Sequence, residues 1–201
     1  MAFLRAQGTG ETGPVIEGER VFLRYPQAGD YIAWARLRDV SRAFLVPWEP
    51  VWPVDELTRA AFRRRMRRYS REIRDDEGYP FFVFRQADEA LLGGCILSNI
   101  RRGVSQSVSL GYWVGEPHAQ KGYISEAVET LLPFIFNSLR LRRVEAACLP
   151  HNVASRRLLE RVGFKHEGLA RQYLKINGQW QDHVLYAILA GDGPPEDRQD
   201  A

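Results

Sequence analysis

The sequence predicts a single mixed α/β domain with a mostly antiparallel sheet. Three observations point there. Alternating apolar runs recur along the chain between turn residues. Helical apolar spacing interrupts them at irregular intervals instead of in strict βαβ alternation. Asn177-Gly178 sits between two such runs, the strongest short hairpin signal. A chain of 201 residues, 45% hydrophobic and 26% charged, can bury a real core as one globular domain.

The elements follow in order. Residues 1–18 read as a flexible start and 19–190 as the domain, with 191–201 a solvated tail. Residues 20–26 alternate and end at Pro26, a first strand. Residues 30–45 have helical spacing with Asp30 as N-cap. The loop at 46–53 holds three prolines that forbid a helix, and its Trp48 and Trp52 must pack on the core or line a cleft. An arginine-rich helix spans 55–73. Three strands follow at 79–86, 90–100 and 107–115, joined by short polar turns and therefore antiparallel. A helix after residue 123 contains Pro133, where a kink or wide turn is expected. A strand at 142–149, a helix at 152–164 between an Asn152 cap and a Gly163 stop, and the hairpin at 173–189 complete a sheet of about seven strands. The strands at 107–115 and 142–149 are joined through a helix, which makes them parallel neighbours.

Composition excludes several classes. No apolar run approaches the ~18 residues of a membrane span, and the start lacks a signal-peptide apolar region. Cys95 and Cys148 lie in apolar runs, as buried thiols of a reducing compartment do, so the cytoplasm is the expected location. The Cys and His residues show no metal-ligand spacing, so no metal is expected. The net charge is only +3, yet eight arginines crowd residues 59–74. That segment is either a contact for a ribosome or other RNA particle, or a solvated face balanced by nearby acids.

The turn at 118–128, "HAQKGYISEAV", joins a strand to a helix through Gly122. Free N–H groups at a helix N-terminus and the helix dipole favour an anion, and glycine permits its close approach. The alternative is an ordinary connection capped by Ser125. The helix opened by Asn152 follows the next parallel strand, so both N-termini face one sheet edge, where ligands bind in such sheets.

The stretches "LGYWVGEPHAQKGYISEAV", "PHNVASRRLLERVGFKHEG", "YLKINGQWQDHVLYAIL" and "PWEP" resemble the GNAT acyl-CoA N-acyltransferases. Within that superfamily they are similar to the ribosomal-protein-alanine N-acetyltransferases of the RimJ/RimL type, RimJ above all. The resemblance spans about residues 19–189 and implies a GNAT-type fold whose central parallel pair is splayed to admit acetyl-CoA. It implies pyrophosphate contacts from Gln120, Lys121, Gly122, Tyr123, Ile124 and Ser125. It implies strand-like pairing of the pantetheine arm with Trp113 and Val114, and a hydrogen bond to that arm from Asn152. It makes Ser155 the candidate acid for the leaving thiolate, the other reading being a residue that merely helps the cap. Two departures stand out. Ile124 occupies a usually small position and would need room beside the phosphates, and Leu159 replaces a frequent tyrosine acid.

The strand at 107–115 carries no glutamate to serve as base. Glu116, Glu145, Glu167, His118, His151 and His183 are near only in sequence, His151 being notable beside Asn152. At pH ~7.5 roughly a third of an α-amine is neutral against about a thousandth of a lysine. That difference is worth about 3–4 kcal/mol of available nucleophile, so an α-amine needs little base. The expected acceptor is therefore a protein N-terminus, a ribosomal protein by the resemblance. A small amine acceptor and a non-catalytic RNA-binding module are the rivals.

Overall fold

The computed structural model describes residues 4–5 and 13–192. Among them nine strands form one sheet in the order β1-β2-β3-β4-β5-β6-β7-β9-β8. The strands are β1 (Leu4–Arg5), β2 (Val15–Glu17), β3 (Val21–Arg24), β4 (Tyr79–Arg85), β5 (Leu91–Arg101), β6 (Ser107–Val114), β7 (Arg143–Cys148), β8 (Lys165–Ile176) and β9 (Gln179–Leu189). All neighbours are antiparallel except β6 and β7, the expected parallel pair. The expected seven strands become nine because β1 and β2 extend the sheet beyond β3. Part of the segment read as a flexible start is thus paired, Ile16 being buried against the core. Of the tail at 191–201, residues 193–201 lie outside the described residues.

Helices cover both faces. α4 (Tyr123–Pro133) and α5 (Val153–Val162) close one core with Val108, Leu110, Val128, Leu131 and Leu159. α1 (Tyr31–Val40) and α3 (Arg59–Arg74) close a second with Trp34, Leu37, Phe62, Phe82 and Phe84. Alternation along β6 sends Val108, Leu110, Tyr112 and Val114 to the first core and Trp113 to the second.

Several helix ends differ from expectation. Asp30 occupies the N-cap position of α1, as expected, but makes no side-chain cap bond there: its carboxylate accepts from Arg24 at 2.8 and 2.7 Å and from the Gln27 N–H at 2.7 Å, closing a preceding short turn. The 30–45 helix is broken at Ser41 into α1 and α2 (Arg42–Leu45), and the buried Ser41 hydroxyl accepts from the Glu116 N–H at 2.8 Å. That bond ties the break to the β6–α4 connection. The loop at 46–53 contains a 3-10 turn, Val46–Trp48, which tolerates Pro47 near its start. α3 begins at Arg59 because the Thr58 hydroxyl accepts from the Ala61 N–H at 3.2 Å. After Pro133 the chain widens into a π turn, Phe134–Ser138, a local solution for a residue with no N–H to donate. The hairpin tip has positive φ at Asn177 (43°) and Gly178 (82°), as the Asn-Gly turn requires.

Candidate active site

β6 and β7 are paired only at Ser107↔Arg143, Val108↔Val144 and Ser109↔Glu145. Beyond those pairs β6 runs on to Val114 and β7 to Cys148, so the sheet opens into a V. Gly115 N–H bonds Leu92 C=O on β5 at 2.9 Å, and alternation therefore points the Trp113 backbone groups at β5 as well. Leu110, Tyr112 and Val114 turn theirs into the opening. Of the two residues expected to pair with an extended ligand, Val114 is oriented to do so. Trp113 instead lays its indole along Gly94, where a Cβ would come within 2.7 Å of Nε1.

The anion cradle lies at the end of β6. Gln120 (φ 60°) and Gly122 (φ 77°) both have left-handed backbones, and α4 starts at Tyr123 with Gly122 as its N-cap. Ser125 is therefore inside the helix and is not its cap. Among the described residues no backbone N–H from Gln120 to Ser125 has a protein acceptor; the first intrahelical partner belongs to Glu126, whose N–H bonds Gly122 C=O at 3.1 Å. Left-handed turns and a helix N-terminus together form an N–H-lined concavity suited to phosphate. Ile124 is 5% exposed and packs into the core, so its side chain takes no room from a ligand and its backbone N–H stays available. Lys121 Nζ donates to Pro117 C=O at 2.8 Å. Arg20, which sequence reasoning missed, donates to Lys121 C=O at 3.3 Å and covers the Tyr123 ring. Nothing in local spacing signals a residue so distant in the chain.

α5 opens on the other arm of the V. Asn152 Oδ1 accepts from the Ser155 N–H at 3.1 Å, which caps the helix, and leaves the Asn152 side-chain NH₂ without a partner among the described residues. Ser155 does not reach back to the cap; its Oγ lies 2.7 Å from the Tyr112 hydroxyl. Burial pushes the Tyr112 phenol up, and the Ser155 hydroxyl opposes the shift. Burial also raises the Cys148 thiol, again opposed by Ser155. Tyr112 is thus brought to Ser155. It was not a sequence candidate, although it shares a strand face with Val114. Leu159 is fully buried in the core.

Two of the three carboxylate candidates for a base are engaged elsewhere. Glu145 is held by Arg101 and Arg143, and Glu167 by Arg143. His183 is buried with Nδ1 3.0 Å from Gln181 C=O, and burial together with Arg85 and Lys121 lowers the His118 pKa. Glu116 is exposed in the turn after β6. His151 is exposed beside Asn152 and packs on Trp48, ring centroids 5.4 Å apart.

On the other face of β6 lies a pocket of about 350 Å³ lined by Trp34, Arg38, Trp52, Glu56, Tyr69 and Trp113 among others. Arg38 is nearly buried, stacked on Trp52 at 4.2 Å and paired with both Glu49 oxygens at 2.8 and 2.7 Å. The hairpin tip closes the side of this loop through Asn177 N–H to Glu49 C=O at 2.9 Å.

A V between parallel strands, an N–H cradle on one arm and a capped helix with a part-buried hydroxyl pair on the other suit a transferase whose phosphate-bearing carrier lies along a strand edge. A model of the acetyltransferase (GNAT) domain matches residues 20–165, and the chain belongs to the GNAT acetyltransferase family. It is 34% identical over 178 residues to the probable N-acetyltransferase YjcK of Bacillus subtilis, a match covering 89% of this chain and 98% of that one. It is also 34% identical over 169 residues to the ribosomal protein uS5-alanine N-acetyltransferase of Escherichia coli, covering 83% and 87%. Among solved structures, Mycobacterium smegmatis RimJ in complex with CoA-disulfide superposes with a TM-score of 0.80 at 31% identity, covering 89% of this chain and 87% of that one. The resemblance drawn from the motifs is borne out at the level of fold, family and acetyl transfer.

Proposed function

We propose that the protein transfers an acetyl group from acetyl-CoA to the α-amine of a protein N-terminus, a ribosomal protein in particular. The observation that carries the reading is the opening of the sheet after Ser109 and Glu145, with the unpaired N–H groups of residues 120–125 on one arm and Asn152 on the other. These N–H groups suit the pyrophosphate, Val114 the pantetheine arm as an added strand, and the Asn152 NH₂ a carbonyl of that arm. The amine attacks the thioester directly, proximity supplying much of the acceleration. A strand N–H such as that of Val114 suits the thioester oxygen as charge builds. The departing sulfur lies toward the N-terminus of α5, where the dipole and the Ser155 hydroxyl favour the thiolate.

The acceptor enters over the opposite face, between the 46–53 loop, His151 and the hairpin tip. Glu49 and Glu56 are the carboxylates of that pocket, and both are tied to arginines, Arg38 and Arg65. This leaves little for a polycationic small molecule and favours a protein acceptor whose amine needs no strong base. On α3, Arg59, Arg63, Arg67 and Arg71 recur every fourth residue, all exposed. Arg63, Arg67 and Arg71 make no ion pair among the described residues, unlike Arg64, Arg65 and Arg68. Such a stripe suits a phosphate-rich acceptor particle. Among the described residues no helix is long and apolar enough to cross a membrane, and a ribosomal acceptor would place the enzyme in the cytoplasm. The test is mass spectrometry of protein N-termini in cells with and without the gene. An acetylated ribosomal N-terminus that disappears with the gene supports the reading; an unchanged set removes it.

A further inference from the structure

We infer that Tyr112 is a positioning residue for the leaving group: its hydroxyl donates to Ser155 Oγ and so turns the Ser155 proton toward the sulfur that departs in the opening between β6 and β7. The inference rests on the proposed acetyl transfer and on Ser155 as the group that meets that sulfur.

The argument is an accounting of hydrogen bonds. Tyr112 O–H has one proton to give. The acceptors within its reach are Ser155 Oγ at 2.7 Å and, weakly, Ser155 C=O at 3.5 Å. If Ser155 were the donor of the short contact, the phenol proton would be left with the long one, near the limit of a hydrogen bond in a partly buried site. Tyr112 therefore donates, and Ser155 Oγ accepts. The Ser155 N–H is already engaged by Asn152 Oδ1 at 3.1 Å. The one group of Ser155 not committed is its own hydroxyl proton. Tyr112 stands on one diverging strand and Ser155 on the helix that follows the other, so their bond crosses the V where the thioester would lie. Burial keeps the phenol protonated and hence a donor. A hydroxyl that accepts one bond becomes a stronger donor of the next.

The step balances without a proton leaving either residue. The amine nitrogen forms a bond to the thioester carbon, the C–S bond breaks, and its electron pair stays on sulfur. Ser155 O–H donates a hydrogen bond to that charge, and Tyr112 O–H donates to Ser155 Oγ behind it. The proton lost by the amine passes to water, which protonates the thiolate.

The experiment is a double-mutant cycle with acetyl-CoA and a short synthetic peptide bearing an N-terminal alanine. It compares wild type, Tyr112→Phe, Ser155→Ala and the double variant, with melting temperature and acetyl-CoA affinity measured on each. Tyr112→Phe is expected to lower kcat about tenfold with little change in the acetyl-CoA KM. In the Ser155→Ala background the same change is expected to cost nothing further. Ser155→Thr, which keeps a hydroxyl, is expected to restore sensitivity to Tyr112→Phe. Normal kcat in Ser155→Ala would remove the leaving-group role of Ser155 and this inference with it. Reduced kcat in Ser155→Ala, with Tyr112→Phe either harmless or equally costly in both backgrounds, would overturn the Tyr112 inference alone. A kcat loss that follows only a lowered melting temperature or a weakened acetyl-CoA affinity would overturn it as well.

Discussion

Glu126 in the first turn of α4 grips Arg20 at the start of β3: its Oε1 accepts from the Arg20 N–H at 2.5 Å and its Oε2 from Arg20 Nε at 2.7 Å. The Val21 N–H also bonds Oε1, at 3.3 Å. The carboxylate is mostly buried, and it satisfies backbone donors that strand pairing does not. It also holds the Arg20 guanidinium over the cradle. Glu126→Ala is expected to destabilise the fold by about 1–3 kcal/mol, the cost of stranding such donors. Urea denaturation would read it. A loss below a few tenths would mean that water replaces the carboxylate freely.

Gly122 has φ 77°, and a Cβ there would stand 3.3 Å from Arg20 Nη2. Gly122→Val puts a branched side chain into a left-handed backbone at the mouth of the cradle. Acetyl-CoA binding by calorimetry should weaken at least tenfold, about 1.4 kcal/mol. Unchanged affinity in a folded variant would put the carrier elsewhere.

How far the chain could be read in advance depended on the range of the physics involved. The Asn152 cap, the Gly163 stop, the Asn177-Gly178 turn and the disturbance at Pro133 are local, and the structure has each of them. The parallel pair followed from connectivity, and its opening from the family resemblance. What local spacing does not carry is the partner across the sheet. Ser125 looked like a cap because serine favours caps, but the left-handed Gly122 ends the turn earlier. Ile124, bulky for a phosphate turn, turns its side chain into the core. Arg20 reaches Glu126 across 106 residues and Tyr112 reaches Ser155 across 43, and no periodicity records such pairs.

Reversal of Arg63, Arg67 and Arg71 to glutamate removes the unpaired stripe on α3 and leaves the ion-paired Arg64, Arg65 and Arg68 in place. The rate on intact ribosomal particles should fall severalfold and lose much of its salt dependence, since such charges act mainly on encounter. The rate on a short peptide should hardly change. Equal losses on both acceptors would mean that α3 supports the fold or the site.

Cys95 offers a test of the core. Burial pushes its thiol up to about 12. In the unfolded chain it ionises near ~8.5. Between these values the folded state keeps a proton that the unfolded state releases. The thiol's contribution to stability is therefore full below pH ~8.5 and falls as pH rises toward the folded value. Denaturation of wild type and Cys95→Ala at pH 8 and pH 10 should show the stability difference narrowing at the higher pH. A difference independent of pH would mean that the thiol can ionise in the folded core.

The proposed site gives Asn152 two functions on one side chain, and they can be separated. Its Oδ1 caps α5 through the Ser155 N–H, and its NH₂, without a partner among the described residues, is the group proposed to meet the ligand. Asn152→Asp keeps an oxygen acceptor at a position where aspartate caps well, so the melting temperature should hold or rise slightly. It removes the NH₂ donor and places a negative charge where thiolate charge develops. Acetyl-CoA affinity should therefore weaken and kcat should fall, with stability intact. Asn152→Ala loses the donor and the cap together and should also cost about 1 kcal/mol of stability. It adds no repulsive charge, however, so its kcat should exceed that of Asn152→Asp. If the aspartate variant instead binds acetyl-CoA normally and turns over faster than the alanine variant, Asn152 is only a cap. The N-terminus of α5 then meets the leaving group through Ser155 and the helix dipole alone.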